Sequence, residues 1–292
     1  MLIGNINTIP SIVNLPGQGN VTDQGAAFRF QRTTGGWFEP ALFNTNLGVG
    51  TNLGISCWVK IDQEFFDPNT TGGNLDYYIV DKYGFSGGGL KPGYRLFLRS
   101  FTDGRKQLKF TGVQETAGNI DTGEVSLDVS TLQADTAYLL TATCSGVSSG
   151  QLRAKGVGVS LVQNQNNFVN PNPGPGAPLL AIANANPVSP NQGFAGVIDE
   201  IAIWPDGTQI DDEAIDRLFN WPEYKDLMNS DPIGDNRQPR NWFRMGENST
   251  VDIFGRIVIP NEGSNVPSQT LVSEGSPSPV KVVPGIPNEL YN

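Results

Sequence analysis

The sequence predicts an all-β fold: two antiparallel sheets packed as a sandwich, with one short helix and an extended arm at each end. Three observations carry this expectation. The 292 residues include 35 Gly and 21 Pro but only 16% charged residues, a profile of many short strands and turns rather than helical bundles. Short alternating apolar runs recur along the chain, each closed by Gly, Asn, Asp or Pro. The stretch from Gly193 to Trp204 is the clearest of them, with Val197, Asp199, Ile201 and Ile203 on one face and Ile198, Glu200, Ala202 and Trp204 on the other.

The elements follow in order. Residues 1–24 form an extended N-terminal arm, because their aliphatic residues are interrupted by Asn, Pro10, Pro16 and Gly17. Residues 25–220 form the sandwich, opening with strand, Gly35-Gly36 turn and strand between Gln24 and Phe43. A Gly/Asn loop at 44–54 leads to a strand at Ile55–Ile61, and a polar loop runs from Asp62 to Asp76. Strands at Tyr77–Lys82, Tyr94–Phe101 and Gln107–Phe110 follow, the last two joined by an Asp103-Gly104 hairpin turn. Further strands at 122–129, 137–144, 151–162 and 179–183 complete the two sheets, with a surface loop of Asn, Pro and Gly at 164–178.

After Trp204 the pattern changes to a capped helix. Asp211 is its N-cap, Asp212 and Glu213 lie in the first turn where the helix dipole favours negative charge, and Ile210 and Ile215 have hydrophobic-staple spacing. Residues 221–262 read as an extension anchored on the sandwich by aromatic residues, with a short helix starting at Trp221-Pro222. Residues 263–292, rich in Pro, Gly, Ser and Val, form the C-terminal arm.

Composition excludes several functions. Net charge is −10, so the chain lacks the basic footprint that nucleic acids and anionic membranes require. There is no His, which removes His-dependent triads and zinc hydrolase sites. No run approaches the ~18 apolar residues of a membrane span, and the first residues lack the charged and apolar regions of a signal peptide. Cys57 and Cys144 both lie in apolar strands, as two buried thiols or as one disulfide.

Three segments carry a resemblance. Ala26-Ala-Phe-Arg-Phe30, Ile55-Ser-Cys-Trp-Val-Lys60 and the Gly196–Trp204 strand with its following helix resemble, in this order, motifs of laminin-G-like domains of the concanavalin A-like jelly-roll superfamily. Asn241-Trp-Phe-Arg-Met-Gly-Glu247 resembles a W-W-R-M-G-D segment of virion proteins of tailed phages, especially marine ones, with Phe243 and Glu247 departing from it. The resemblance implies a jelly roll and a virion structural protein, a capsid decoration or tail accessory. Such a protein would be made in the host cytoplasm, form a homo-oligomer and dock on other virion proteins through its arms. The alternative it implies is a carbohydrate-binding host-adhesion module, recognising a host surface glycan from a tail fibre or receptor-binding position. A glycoside hydrolase ranks third.

Catalysis is not expected. Glycosidases need two carboxylates facing one sugar, whereas Asp199 and Glu200 are neighbours on a strand and alternate in direction. Asp199 is instead expected to accept backbone N–H groups from a neighbouring loop. No cofactor is expected; calcium has candidate oxygen donors in Asp62, Asp67, Asn69 and Asp76. Aromatic candidates for glycan contact are Trp37, Phe65, Tyr83 and Phe85. Structural roles fall to Trp58, Asp199, Ile201, Trp204, Asp211, Trp242 and Arg244, with Trp58 and Ile201 supporting the core from one sheet each.

Overall fold

A computed structural model of the chain describes residues 26–32, 36–41, 52–67, 73–86, 89–116, 119–145, 149–169, 171, 180–185, 192–204, 210–220, 227–228, 238–264, 270–275, 279–282 and 286. In chain order these form β1 (Ala27–Phe30), β2 (Trp37–Pro40), β3 (Leu53–Ile61), α1 (Gln63–Phe66), β4 (Leu75–Ser86), β5 (Gly89–Ser100), β6 (Lys106–Thr116) and β7 (Asn119–Asp128). Next come β8 (Ala137–Ser145), β9 (Ser149–Gly156), β10 (Val159–Asn166), β11 (Ala181–Ile182), β12 (Gly196–Trp204) and α2 (Asp212–Phe219). The last are β13 (Asn241–Phe243), β14 (Met245–Asn248), β15 (Thr250–Val251), β16 (Ile257–Ile259), β17 (Leu271–Glu274) and β18 (Val280–Val282).

Two antiparallel sheets make a sandwich, as the composition and turn spacing predict. The first runs β10-β9-β8-β3-β12-β1-β18, with β13 also paired to β12; the second runs β15-β16-β17-β2-β11-β4-β5-β6-β7. The inner faces interdigitate in one apolar layer containing Phe28, Phe38, Ile55, Tyr94, Phe110, Leu140 and Ile201. Phe168, just after β10, stacks on Phe110 at 5.2 Å and closes that side of the core.

A second apolar cluster lies on the outer face of the first sheet, under α2. There Trp58, Trp204 and Trp242 pack with Ile210, Ile215 and Phe219, and Trp58 stacks on Phe219 at 5.5 Å. The Asp211 carboxylate caps α2 by accepting the Ala214 N–H at 2.8 Å. Trp58 and Ile201 are therefore both core residues, but of one sheet, on its opposite faces. The expectation of one sheet each fails because β3 and β12 are neighbours.

Strict alternation also fails within β12. Ile198, Ile201 and Ile203 face the interior, whereas Val197, Ala202 and Trp204 belong to the outer cluster. Between the pairs Asp199–Trp58 and Ala202–Ser56, β12 advances three residues while β3 advances two. This is a β-bulge, with Glu200 in the left-handed region at φ 50. The Asp199 carboxylate accepts the Glu200 N–H at 2.9 Å and so holds the distortion locally.

The other Asp199 oxygen accepts the Ile286 N–H at 3.0 Å. That contact draws the C-terminal residues onto the sandwich. β17 pairs with β2 and β18 with β1, so the described residues of 263–292 are packed on the chain's own sheets rather than projecting as an arm. The N-terminal arm at 1–24 lies outside the described residues, and of the helix expected over 221–227 only Leu227 is described, in a turn. The extension at 221–262 contributes β13, whose Trp242 sits opposite Ala202 of β12.

One prediction arises here. Asp199→Asn keeps one carbonyl oxygen but turns an NH2 group toward a backbone N–H. The loss is expected to be about 1–3 kcal/mol, the cost of leaving a buried donor unsatisfied. A denaturant midpoint equal to that of the wild type would show that the carboxylate does not hold Ile286.

Cys57 and Cys144 are both buried, and neither is part of a disulfide. Cys144 pairs with Leu53 of β3, four residues along the strand from Cys57, which sets the two roughly 13 Å apart at the strand rise and beyond disulfide reach.

Candidate functional site

The outer face of the first sheet changes character from centre to edge. One row of neighbours across β12, β3, β8, β9 and β10 reads Trp204, Gly54, Thr143, Gln151, Asn164. The next reads Ala202, Ser56, Thr141, Arg153, Val162. The central strands supply an apolar bed and α2 covers it. Ile210 settles where Gly54 has no side chain; a Cβ there would come within 2.6 Å of the Ile210 side chain. The Thr143, Gln151 and Asn164 end of β8–β10 supplies a hydroxyl and amides, beside the N-terminus of α2.

The border is set by charge. Asp212 and Asp216, one helical turn apart on α2, form ion pairs with Arg153 and Lys155 of β9. Beyond that border lies a groove of about 540 Å³. Its floor is Thr143, Ser145, Ser149, Gly150, Gln151 and Arg153; one wall is Asn164 to Asn166 and the other Ile210 to Asp212.

The polar groups of the floor are held in fixed orientation. Arg153 Nε donates to Gln151 Oε1 at 2.8 Å, and Gln151 Nε2 donates to Asn164 Oδ1 at 2.5 Å. This relay leaves the Asn164 NH2 group turned to the groove as a donor. The Ser149 hydroxyl donates to the Ser145 carbonyl at 2.7 Å, pinning the far end. The groove therefore presents amides and hydroxyls with little charge of its own. The Arg153 guanidinium is matched by Asp212, and Asp211 is occupied by the helix cap.

The residues singled out in the sequence fall elsewhere. Phe65 is fully buried, edge-on to Phe66 at 4.9 Å and Tyr77 at 5.4 Å, and cannot meet a glycan. Within the loop expected at 62–76, Gln63–Phe66 form α1, and this single turn puts Phe65 into the core. Trp37 is half-buried on β2 with its indole N–H on Glu39 at 3.2 Å. Tyr83, on β4, lies beneath the Arg95 guanidinium at 3.5 Å. The Phe85 side chain is outside the described residues.

The described calcium candidates are engaged in contacts of their own. Asp62 accepts from Arg29 at 2.6 Å, and Asp76 holds Arg99 through two bonds at 2.5 and 2.7 Å. Asp67 is the C-terminal cap residue of α1, and Asn69 lies outside the described residues. Among the described residues no three acidic or Cys side chains group to hold a metal.

Trp204 and Trp242 are both fully buried. The Trp242 indole N–H donates to Glu200 at 2.6 Å. Arg244 lies over the Trp242 ring at 5.0 Å and reaches Glu262 at 3.4 Å. The bulge thus spends the Glu200 carboxylate on packing, as Asp199 is spent on backbone N–H groups. The groove residues Gln151, Arg153 and Asn164 were not singled out in the sequence. Their signal is the alternation of Gln151, Arg153 and Lys155 with Leu152 and Ala154, followed by the uncharged Gln163-Asn-Gln-Asn166 run.

Fold and groove together define a two-sheet β-sandwich with an open polar cleft on one outer face. No protein-family model matches the chain, and no curated protein does. Among solved structures it is similar to a Bacteroides ovatus protein named as a candidate carbohydrate-binding protein, with TM-score 0.50 and 10% identity over 89% of this chain. The chain spans 60% of that protein's length. It is also similar to tailspike protein 2 of an Escherichia coli O157:H7 bacteriophage, with TM-score 0.41 and 12% identity, covering 70% of this chain and 29% of the tailspike. A carbohydrate-binding module of the evolved Dit protein of Lactobacillus casei phage J-1 matches with TM-score 0.34 and 12% identity, over 61% of this chain and 75% of the module. At such identities the shared property is the fold.

Proposed function

We propose that the chain is a non-catalytic carbohydrate-binding module of the adhesion type, holding an uncharged saccharide in the β8–β10 groove. The observation that carries this reading is the fixed relay from Arg153 through Gln151 to Asn164. Planar amides held at set angles match the neighbouring hydroxyls of a sugar ring, and they bind without first losing side-chain freedom. Acidic sugars are disfavoured, since Asp211 and Asp212 stand on one wall and the only guanidinium in the lining is already paired.

The non-catalytic part rests on the carboxylates. Those lining the groove among the described residues are Asp211 and Asp212, one a helix cap and the other an ion-pair partner. Both lie on the same wall, so no pair flanks a bond across the groove. A tail-fibre or receptor-binding setting on a virion suits such a module, and the 241–247 segment resembles one in virion proteins of tailed phages. The capsid-decoration reading leaned on two free arms. It has less support, since the C-terminal one lends two strands to the chain's own sheets.

The test is calorimetry against neutral and acidic oligosaccharides, with wild type and the Gln151→Ala/Asn164→Ala double variant. Removing two hydrogen-bonding amides should cost about 1–3 kcal/mol, roughly a 10- to 100-fold loss of affinity. The melting temperature should not move. Failure of the wild type to bind any neutral saccharide, or undiminished binding by the variant, would reject the groove as the site.

A further inference from the structure

At the free end of the second sheet a short hairpin exposes apolar side chains to an unusual degree. Among the described residues β15 is the last strand there and pairs with β16 alone. In the turn between them Ile253 is 93% exposed and Phe254 75%, next to the exposed Val251. The turn itself is tightly held. Asp252 Oδ1 accepts the N–H groups of Phe254 and Arg256, both at 2.9 Å, and Oδ2 accepts Arg256 Nε at 2.9 Å. The Asp252 N–H donates to the Arg256 carbonyl at 2.9 Å and the Asp252 carbonyl accepts the Gly255 N–H at 3.0 Å. Gly255 supplies the left-handed conformation, φ 80, that closes the loop. Arg256 also reaches Glu274 of β17 at 3.0 Å and lies over the Phe254 ring at 5.5 Å.

Such a turn gives up little on leaving water. Most of its backbone donors are already paired, and the side chains it projects are a large aliphatic and an aromatic group on a fixed frame. We propose that this hairpin is where two copies of the chain associate, edge to edge about a two-fold axis, with β15 alongside its counterpart and Ile253 and Phe254 packing across the seam.

Three features select a second copy as the occupant. Two molecules of net charge −10 repel wherever their acidic surfaces face each other, and Val251, Ile253 and Phe254 carry no charge. The base of the hairpin sets Arg256 beside Asp252 and Glu274. A two-fold rotation brings such a mixed-sign row against its own complement, as isologous contacts require. Among the described residues no second strand lies on the outer edge of β15, an edge that an antiparallel neighbour could pair with. The contact is small: three such side chains offer on the order of 400 Å² per copy, below the ~800 Å² per partner of a stable interface. The association is therefore weak and concentration-dependent.

The geometry gives it a use. β10, beside the groove, lies against β7, at the opposite end of the second sheet from β15. Joining hairpins leaves both grooves on the far sides of the pair, free to bind two ligands and gain avidity. The self-association does not depend on what the groove binds.

The experiment is sedimentation equilibrium of the full chain from low micromolar to several hundred micromolar. The wild type should rise in weight-average mass from 31.4 kDa toward twice that value. The Ile253→Asp/Phe254→Ser variant should stay at the monomer mass with an unchanged melting temperature. A wild type that stays monomeric throughout overturns the proposal, as does a variant that associates equally well. Two further outcomes also overturn it by assigning the hairpin another occupant. One is association lost on deleting residues 1–24 but kept in the hairpin variant. The other is a monomer that co-sediments with phosphatidylcholine vesicles only when Phe254 is intact.

Discussion

Replacing Ile201 with Asp should remove much of the chain's stability, by roughly 4–5 kcal/mol, at the high end of single-substitution effects. Ile201 is fully buried in the layer between the sheets, within the bulge and next to Glu200, and is paired across to Phe243. A carboxylate there either ionises in an apolar layer or stays protonated and unpartnered; both are costly. A domain of ordinary stability holds only about 5–15 kcal/mol in total, so the variant should approach unfolding at modest urea. The hairpin supplies the control. Ile253→Asp makes the same chemical change at a site 93% exposed and should fall within about 0.5 kcal/mol of wild type. Equal denaturation midpoints for the two variants would place Ile201 outside the interior.

Much of the architecture could be read from local pattern. Turn-punctuated apolar runs gave most strands near their observed positions, and the cap and staple around Asp211 gave α2, because these signals arise from neighbours in sequence. The bulge in β12 was not legible. Nothing in the run Val197-Ile-Asp-Glu-Ile-Ala-Ile announces that Glu200 turns left-handed, since the cause lies in its contact with Trp242, 42 residues away. The C-terminal strands were missed for a related reason. Leu271–Glu274 and Val280–Val282 are short and lie among Pro, Gly and Ser, and only the free edges of β2 and β1 make strands of them.

The candidate site was less legible than the fold. Aromatic residues near loops drew the sequence reading toward Phe65 and Tyr83, yet burial claims the first and Arg95 covers the second. A side chain's neighbours in sequence do not say whether its strand end is capped by helix or open to water. The groove lies beside α2 on the outer face, and its border with the helix is set by the Arg153–Asp212 and Lys155–Asp216 pairs. Each pair joins residues about sixty positions apart, so no local pattern reveals it.

Stability should rise between about pH 7 and about pH 9, and Lys82 should be the cause. Lys82 is fully buried, beside Tyr94 on the inward face of β4 and β5. Burial lowers its pKa from 10.5 to about 8. Below pH 8 the residue is charged in both states, so folding bears the full cost of burying an ammonium group. As pH rises through 8 the folded protein loses the proton while the unfolded chain keeps it until 10.5. Folding is then favoured progressively, by up to about 3 kcal/mol over the whole interval. Groups raised by burial act in the opposite sense at higher pH: the Cys57 thiol and the Tyr77, Tyr78 and Tyr94 phenols. Burial raises the Cys57 thiol and the Tyr77 phenol each to about 12. Their unfolded counterparts ionise from 9.0 and 10.0 upward, so stability is lost there. Comparing wild type with Lys82→Met cancels those shared contributions. The wild type should gain about 1–2 kcal/mol relative to the variant between pH 7 and pH 9, read from urea midpoints at fixed ionic strength. Parallel stability curves for the two proteins would mean that Lys82 keeps an ordinary amine in the folded state, with its charge solvated or matched inside the sandwich.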